Sequence, residues 1–135
     1  MKNLSKNYLK EIQTNRNVKA LCITEKIIKI VDGDTIYLKG YKIRLSLTNT
    51  PEWYEKGYKE ATLFTKKRCP IGSYITVDQD DGQPYDNFGR VVGKVYCGDK
   101  INAELLYNHR ANIITKYCKT SEFSDEMWAK DFGCK

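Results

Sequence analysis

Asp32, Asp34, Arg44 and Glu52 fall within one stretch, DGDTIYLKGYKIRLSLTNTPE, and Arg90 follows later in the chain. Cleaving a phosphodiester requires neutralisation of charge on the phosphoryl oxygens, a positioned water and commonly a metal ion. These residue types supply each part. Carboxylates are ligands for a hard cation such as calcium, and the planar fork of an arginine donates two hydrogen bonds at once to a phosphate. Asp32 and Asp34 flank Gly33, whose permissive backbone lets both carboxylates or nearby carbonyls turn toward one point. Asp-Gly alone reads more simply as an ordinary turn. Arg44 lies between Ile43 and Leu45 in a strand-like run, so it points away from their face toward a surface or cleft. A lone strand arginine is more often solvated or ion-paired, and it is the joint presence of these groups that suggests a site.

The elements that must hold these residues follow from periodicity. β-branched residues from Ile23 to Val31 predict a first strand, ended by Asp32-Gly33. Thr35–Lys39 and Tyr41–Thr48 predict a second and third around a turn at Gly40, with Ile43, Leu45 and Leu47 on one face. After Pro51 the period becomes helical, with Tyr58, Ala61 and Phe64 recurring until Cys69-Pro70. Strands are expected at Tyr74–Val77 and Arg90–Tyr96, then a helix capped by Asn102, and a last helix from about Ser121 to Gly133. This order is that of a five-stranded OB-type β-barrel of the α+β class with three helices. Residues 21–135 form that domain. Residues 1–20 are an extension in which Tyr8, Leu9 and Ile12 suggest a short helix from Ser5 to Thr14.

The motifs VDGDT, IRLSLTNTPE, GYKEATLFTKK and NFGR, in this order, resemble the staphylococcal nuclease (thermonuclease) family from about Lys26 to Asn112. The resemblance implies calcium-dependent hydrolysis of single- or double-stranded DNA and RNA, leaving 3′-phosphate ends. It implies Asp34 as a carboxylate ligand with Asp32 in support, and the Thr50 carbonyl as another ligand. Arg44 and Arg90 would clamp the phosphate, and Glu52 would orient or deprotonate the attacking water. Two departures stand out. Asn49 occupies a position where family members usually have Asp, which removes one formal charge from the calcium ligands and weakens the expected affinity. Phe88 stands where the family often has Tyr; its ring, with Tyr85 and Tyr117, is a candidate for base stacking. The alternative is a catalytically silent OB-fold module that binds nucleic acid or protein.

Composition is compatible with either reading. A net charge of +6 and a pI near 9.0 favour a polyanionic partner. No apolar leader or membrane-length run is present in the sequence, so a monomeric, cytoplasmic protein without membrane contact is expected. Five cysteines, none in a C-x-x-C pair, encode no zinc site. They leave open buried thiols or a Cys118–Cys134 disulfide. Asp80 and Asp81 read as a solvated turn, and His109 as a helix-end residue without catalysis. Lys66, Lys67 and Arg68 read as a solvated basic face.

Overall fold

A computed structural model describes residues 21–135. The expected Ser5–Thr14 helix and the rest of the extension lie outside the described residues. Strand β1 (Cys22–Asp32) is the longest, and its ends serve different neighbours. Its first half pairs with β5 (Tyr74–Gln79) and its second half with β2 (Thr35–Leu38), both antiparallel. A register shift between Ile27 and Lys29 lets Ile27 and Ile30, three residues apart, both face the core while Ile28 stays exposed. β3 (Tyr41–Leu45) continues the meander. β6 (Val91–Cys97) pairs antiparallel with β5 and parallel with β3, and this second pairing closes a five-stranded barrel. With helices α1 (Tyr58–Arg68), α2 (Ile101–Tyr107) and α3 (Met127–Phe132), this is the OB-type α+β architecture expected.

The barrel encloses Ile23, Ile36, Ile43, Leu45, Val77 and Val95, all buried, and Ala61 of α1 is buried beside it. Leu47 does not share this core. β3 ends at Leu45, and Leu47 takes a left-handed backbone (φ 61°) that turns it into a second cluster with Leu106, Phe123 and Trp128. The chain then forms the short β4 (Thr48–Asn49), paired with β8 (Asn112–Ile113); β7 (Asp99–Lys100) pairs with the end of β6.

Asn102 does not cap α2. Lys100 holds that position, while the buried Asn102 amide accepts from Val95 N (2.9 Å) and donates to Ser46 O (2.9 Å) and Gly93 O (3.2 Å). It ties α2 to β6 and to the end of β3. The last helix starts at Met127, later than expected, because Ser121 and Phe123 are used in buried turns before it. Asp80 is also not solvated but fully buried.

Cys118 and Cys134 form a disulfide, and so do Cys69 at the end of α1 and Cys97 at the end of β6; Cys22 is a free thiol. The second bridge is invisible to spacing rules because it spans 28 residues and joins different elements. Cross-linking a loop of that length restricts the unfolded chain by about 3–4 kcal/mol. Cys69→Ser with Cys97→Ser is expected to lower the free energy of unfolding by about that amount, measured by denaturant titration. Dithiothreitol, which reduces both bridges, should cost the native chain at least that much.

Candidate active site

The Asp32-Gly33-Asp34 turn joins β1 to β2 at the barrel end where β3 runs out. Asp34 is 6% exposed. Its Oδ2 accepts from the Thr50 backbone N–H (2.9 Å) and the Thr50 hydroxyl (3.0 Å), and Oδ1 accepts from the Thr35 hydroxyl (3.1 Å). Asp32 Oδ1 accepts from the backbone N–H of Asp34 (3.2 Å). Burial and then the neighbouring Asp34 charge push the Asp32 carboxyl up to about 6, with Arg44 pulling in the other direction. Two carboxylates thus share one partly buried spot with a single guanidinium.

Gly33 allows the turn by leaving room for Thr50. A Cβ at Gly33 would lie 2.7 Å from Thr50 Cγ2 and 2.9 Å from Thr50 Oγ1. Gly33→Ala is therefore expected to push Thr50 off Asp34, with loss of about 1–3 kcal/mol of stability, the range for overpacking. The Thr50 amide proton, read by hydrogen exchange, should lose protection relative to the barrel core.

Arg44 faces this pair from β3. Nη1 donates to Thr48 O (2.7 Å) and Leu45 O (3.3 Å), Nη2 donates to Asn49 Oδ1 (2.9 Å), and Nη2 lies 3.4 Å from Asp34 Oδ2. The guanidinium thereby fixes the β3–β4 connection as well as the acid. Arg90 enters from the start of β6. Its Nε donates to Asp86 Oδ2 (2.6 Å) and Nη1 to the Thr35 hydroxyl (3.3 Å). Burial pushes the Asp86 carboxyl up, but hydrogen bonds from the Arg90 backbone and side chain and from Phe88 N–H outweigh it and hold it below the usual carboxylate range. Thr35 links the two halves, accepting from Arg90 and donating to Asp34.

Both arginines line a cleft of about 170 Å³, together with Asp86, Phe88, Val92 and Tyr117. The Arg90 guanidinium carbon lies 5.2 Å from the Phe88 ring centroid, and Phe88 is 83% exposed. Tyr117, half-buried, ends a 3-10 turn (Thr115–Tyr117) and lines the same cleft. Tyr85 is not part of this lining; it is exposed and forms an isolated bridge to Val91. Glu52 follows two residues after Thr50, the residue that holds Asp34. It lies in an exposed turn, where its N–H donates to Glu55 Oε1 (2.7 Å) and its carbonyl accepts from Glu55 N–H (2.8 Å). Among the described residues no three acids, histidines or cysteines converge as a ready metal cage.

The donors that do meet are all hard oxygens: the Asp32 and Asp34 carboxylates and the Asn49 amide oxygen, with Thr50 held against Asp34. The buried Asp34 carboxylate, the half-buried Asp32 beside it and an amide oxygen suit calcium or another hard divalent cation. Residues outside the sequence reading also shape the site. Thr35 and Asp86 orient Arg90, and neither carried a signal beyond being polar beside a named residue.

An OB-type barrel, a fold whose members bind oligonucleotides and oligosaccharides, here carries acids at one strand turn and two arginines in an adjoining cleft. The chain belongs to the staphylococcal nuclease family: the family model described as "Staphylococcal nuclease homologue" matches residues 42–132. That span contains Arg44, Asn49, Glu52 and Arg90, whereas Asp32 and Asp34 precede it. The chain is also similar to uncharacterized protein pXO1-141 of Bacillus anthracis, 38% identical over 111 residues, covering 73% of this chain and 51% of the relative. It thus spans about half the length of that relative. No helix among the described residues is long and apolar enough to cross a membrane.

Proposed function

We propose that the chain is a calcium-dependent nuclease that hydrolyses DNA or RNA phosphodiesters and leaves 3′-phosphate ends. The observation that carries this reading is the convergence of Arg44 and Arg90 on one cleft beside the Asp32–Asp34 pair. Arg44 and Arg90 would donate to the non-bridging oxygens, where charge builds during in-line attack. Glu52 would accept the proton of the attacking water as the new P–O bond forms and the bond to the 5′ oxygen breaks, the electron pair leaving with that oxygen. Asp34, Asp32, Asn49 and the Thr50 carbonyl would hold calcium, which supplies charge neutralisation at the phosphate when bound. Phe88 and Tyr117 offer flat walls for bases. The two disulfides favour an oxidising compartment over the expected cytoplasm.

The second reading, a silent nucleic-acid-binding module, draws on Asn49 and on the exposed turn in which Glu52 bonds Glu55. Digestion of single-stranded DNA and of RNA with calcium and with chelator, beside Glu52→Gln, separates the two. Calcium-dependent cleavage lost in the variant supports the nuclease; binding without cleavage in calcium, manganese and magnesium supports the module.

Asn49→Asp sharpens the metal assignment. An added unit charge contributes about 1 kcal/mol at 4 Å even in bulk water, so calcium should bind at least about fivefold tighter. Unchanged affinity by calorimetry would remove Asn49 from the ligand set.

A further inference from the structure

We infer that the loop from Pro51 to Gly57 and the turn ending α2 form a second subsite for single-stranded nucleic acid, in which Trp53 stacks on a base and Lys56 and Arg110 hold an adjacent phosphate. This rests on the nuclease reading, because the strand bound here is the same substrate extended beyond the Arg44–Arg90 cleft.

Trp53 is 76% exposed and Tyr54 68%, with ring centroids 5.4 Å apart at an interplanar angle of 88°. Two large rings held edge to face in water present apolar surface that nothing in the described fold covers. Pro51 and Lys56, which flank the two rings in the same loop, line a cleft of about 130 Å³ with Gly57, His109 and Arg110, and no acid is in the lining among the described residues. Among those residues Lys56 and Arg110 form no ion pair, while Glu55, the acid beside Lys56, turns its carboxylate to Glu52 N–H at 2.7 Å. His109 adopts φ 59°, a left-handed conformation unusual for a residue other than glycine, and its N–H donates to Leu106 O (3.0 Å). That turn ends α2 and brings Arg110 to the cleft. Exposed aromatic faces beside an unpaired cationic groove match the chemistry of a single strand, whose unstacked bases and phosphates need both at once. The position is continuous with the first site: Pro51 in the lining follows Thr50, whose N–H and hydroxyl hold Asp34.

The chain has two tryptophans, and Trp128 is 3% exposed, so quenching by a bound base reports Trp53. The test is a fluorescence titration in calcium with phosphorothioate oligothymidylate of twelve residues, the corresponding two-residue ligand and a duplex. Native chain, Trp53→Ala and the Lys56→Glu/Arg110→Glu double variant are compared, with thermal melts to establish folding. The twelve-residue strand should quench the native chain and the duplex should not. Its affinity, followed in the variants by anisotropy of an end label, should fall about tenfold in Trp53→Ala, within the range for one stacked base. The double variant should also show a weaker salt dependence, its log–log slope falling by about 0.7 for the one phosphate that Lys56 and Arg110 share. The two-residue ligand should bind all three proteins alike. Equal twelve-residue affinity across the three proteins, with binding still sensitive to Arg90→Ala, would overturn this subsite and leave the nuclease reading standing. Absence of binding of any ligand to the native chain would overturn both.

Discussion

Arg90→Ala is expected to reduce phosphodiester cleavage about 10²- to 10³-fold, the range for removing one preorganised donor from a developing oxyanion. The guanidinium reaches the cleft from the first residue before β6, held by Asp86 Oδ2 at 2.6 Å and the Thr35 hydroxyl at 3.3 Å. It contributes little to the barrel itself, since its interior-facing neighbours are Val91 and Val95. The variant should therefore melt close to the native chain, and the loss should lie in turnover. Arg90→Lys should recover only part of it, because an ammonium is a point charge and cannot span two oxygens in one plane. Asp86→Asn supplies a second comparison: it keeps the positive charge but loosens its orientation, and should produce a smaller fall. Single-turnover rates on a labelled oligonucleotide at saturating calcium measure all three. A fully active Arg90→Ala protein would remove Arg90 from the site.

The largest stability effect is expected at Asp80. This fully buried carboxylate accepts from the hydroxyls of Ser46 (2.7 Å) and Ser121 (2.5 Å) and from the backbone N–H groups of Gly82 (3.0 Å) and Glu122 (2.9 Å). Four donors from three segments thus meet on one side chain. Gly82 permits their approach, since a Cβ there would fall 1.5 Å from Thr120 O. Asp80→Ala leaves those donors buried without an acceptor, which should cost about 3–5 kcal/mol. That is a large share of the roughly 5–15 kcal/mol that holds a domain of this size. Asp80→Asn retains one acceptor oxygen and should lose less. The midpoint of chemical unfolding measures both, and a loss under 1 kcal/mol for Asp80→Ala would mean that water replaces the carboxylate.

The barrel was legible because its signals are local: strand alternation, the turns at Asp32-Gly33 and Gly40, and the change to helical period after Pro51. The misreadings share a different cause. Asp80, Ser121 and Asn102 are polar residues that look solvated or cap-like in a short window, yet each has a buried partner 34 to 56 residues away. Leu47 continues the strand alternation in sequence, yet its left-handed backbone ends it. The Cys69–Cys97 bridge depends on how α1 crosses the end of β6. At the site, the spacing of Asp32 and Asp34 made their proximity readable, and the Arg44 strand placed its side chain. What no pattern disclosed was the set of neighbours holding the charges: Thr35 between Asp34 and Arg90, and the Thr48 carbonyl on Arg44.

The parallel pairing of β3 with β6 has a consequence for the order in which the molecule is made. Ile43 pairs with Val91 and Arg44 with Val92, so the two arginines become neighbours only when strands far apart in sequence close the barrel. Contacts of such separation, like those of β1 with β5, bear a larger loop-closure entropy than the hairpins and form after them. A nascent or partly folded chain can contain the complete meander and α1 and still have no cleft. The cleft that both arginines line is therefore assembled only when the seam between β3 and β6 is shut.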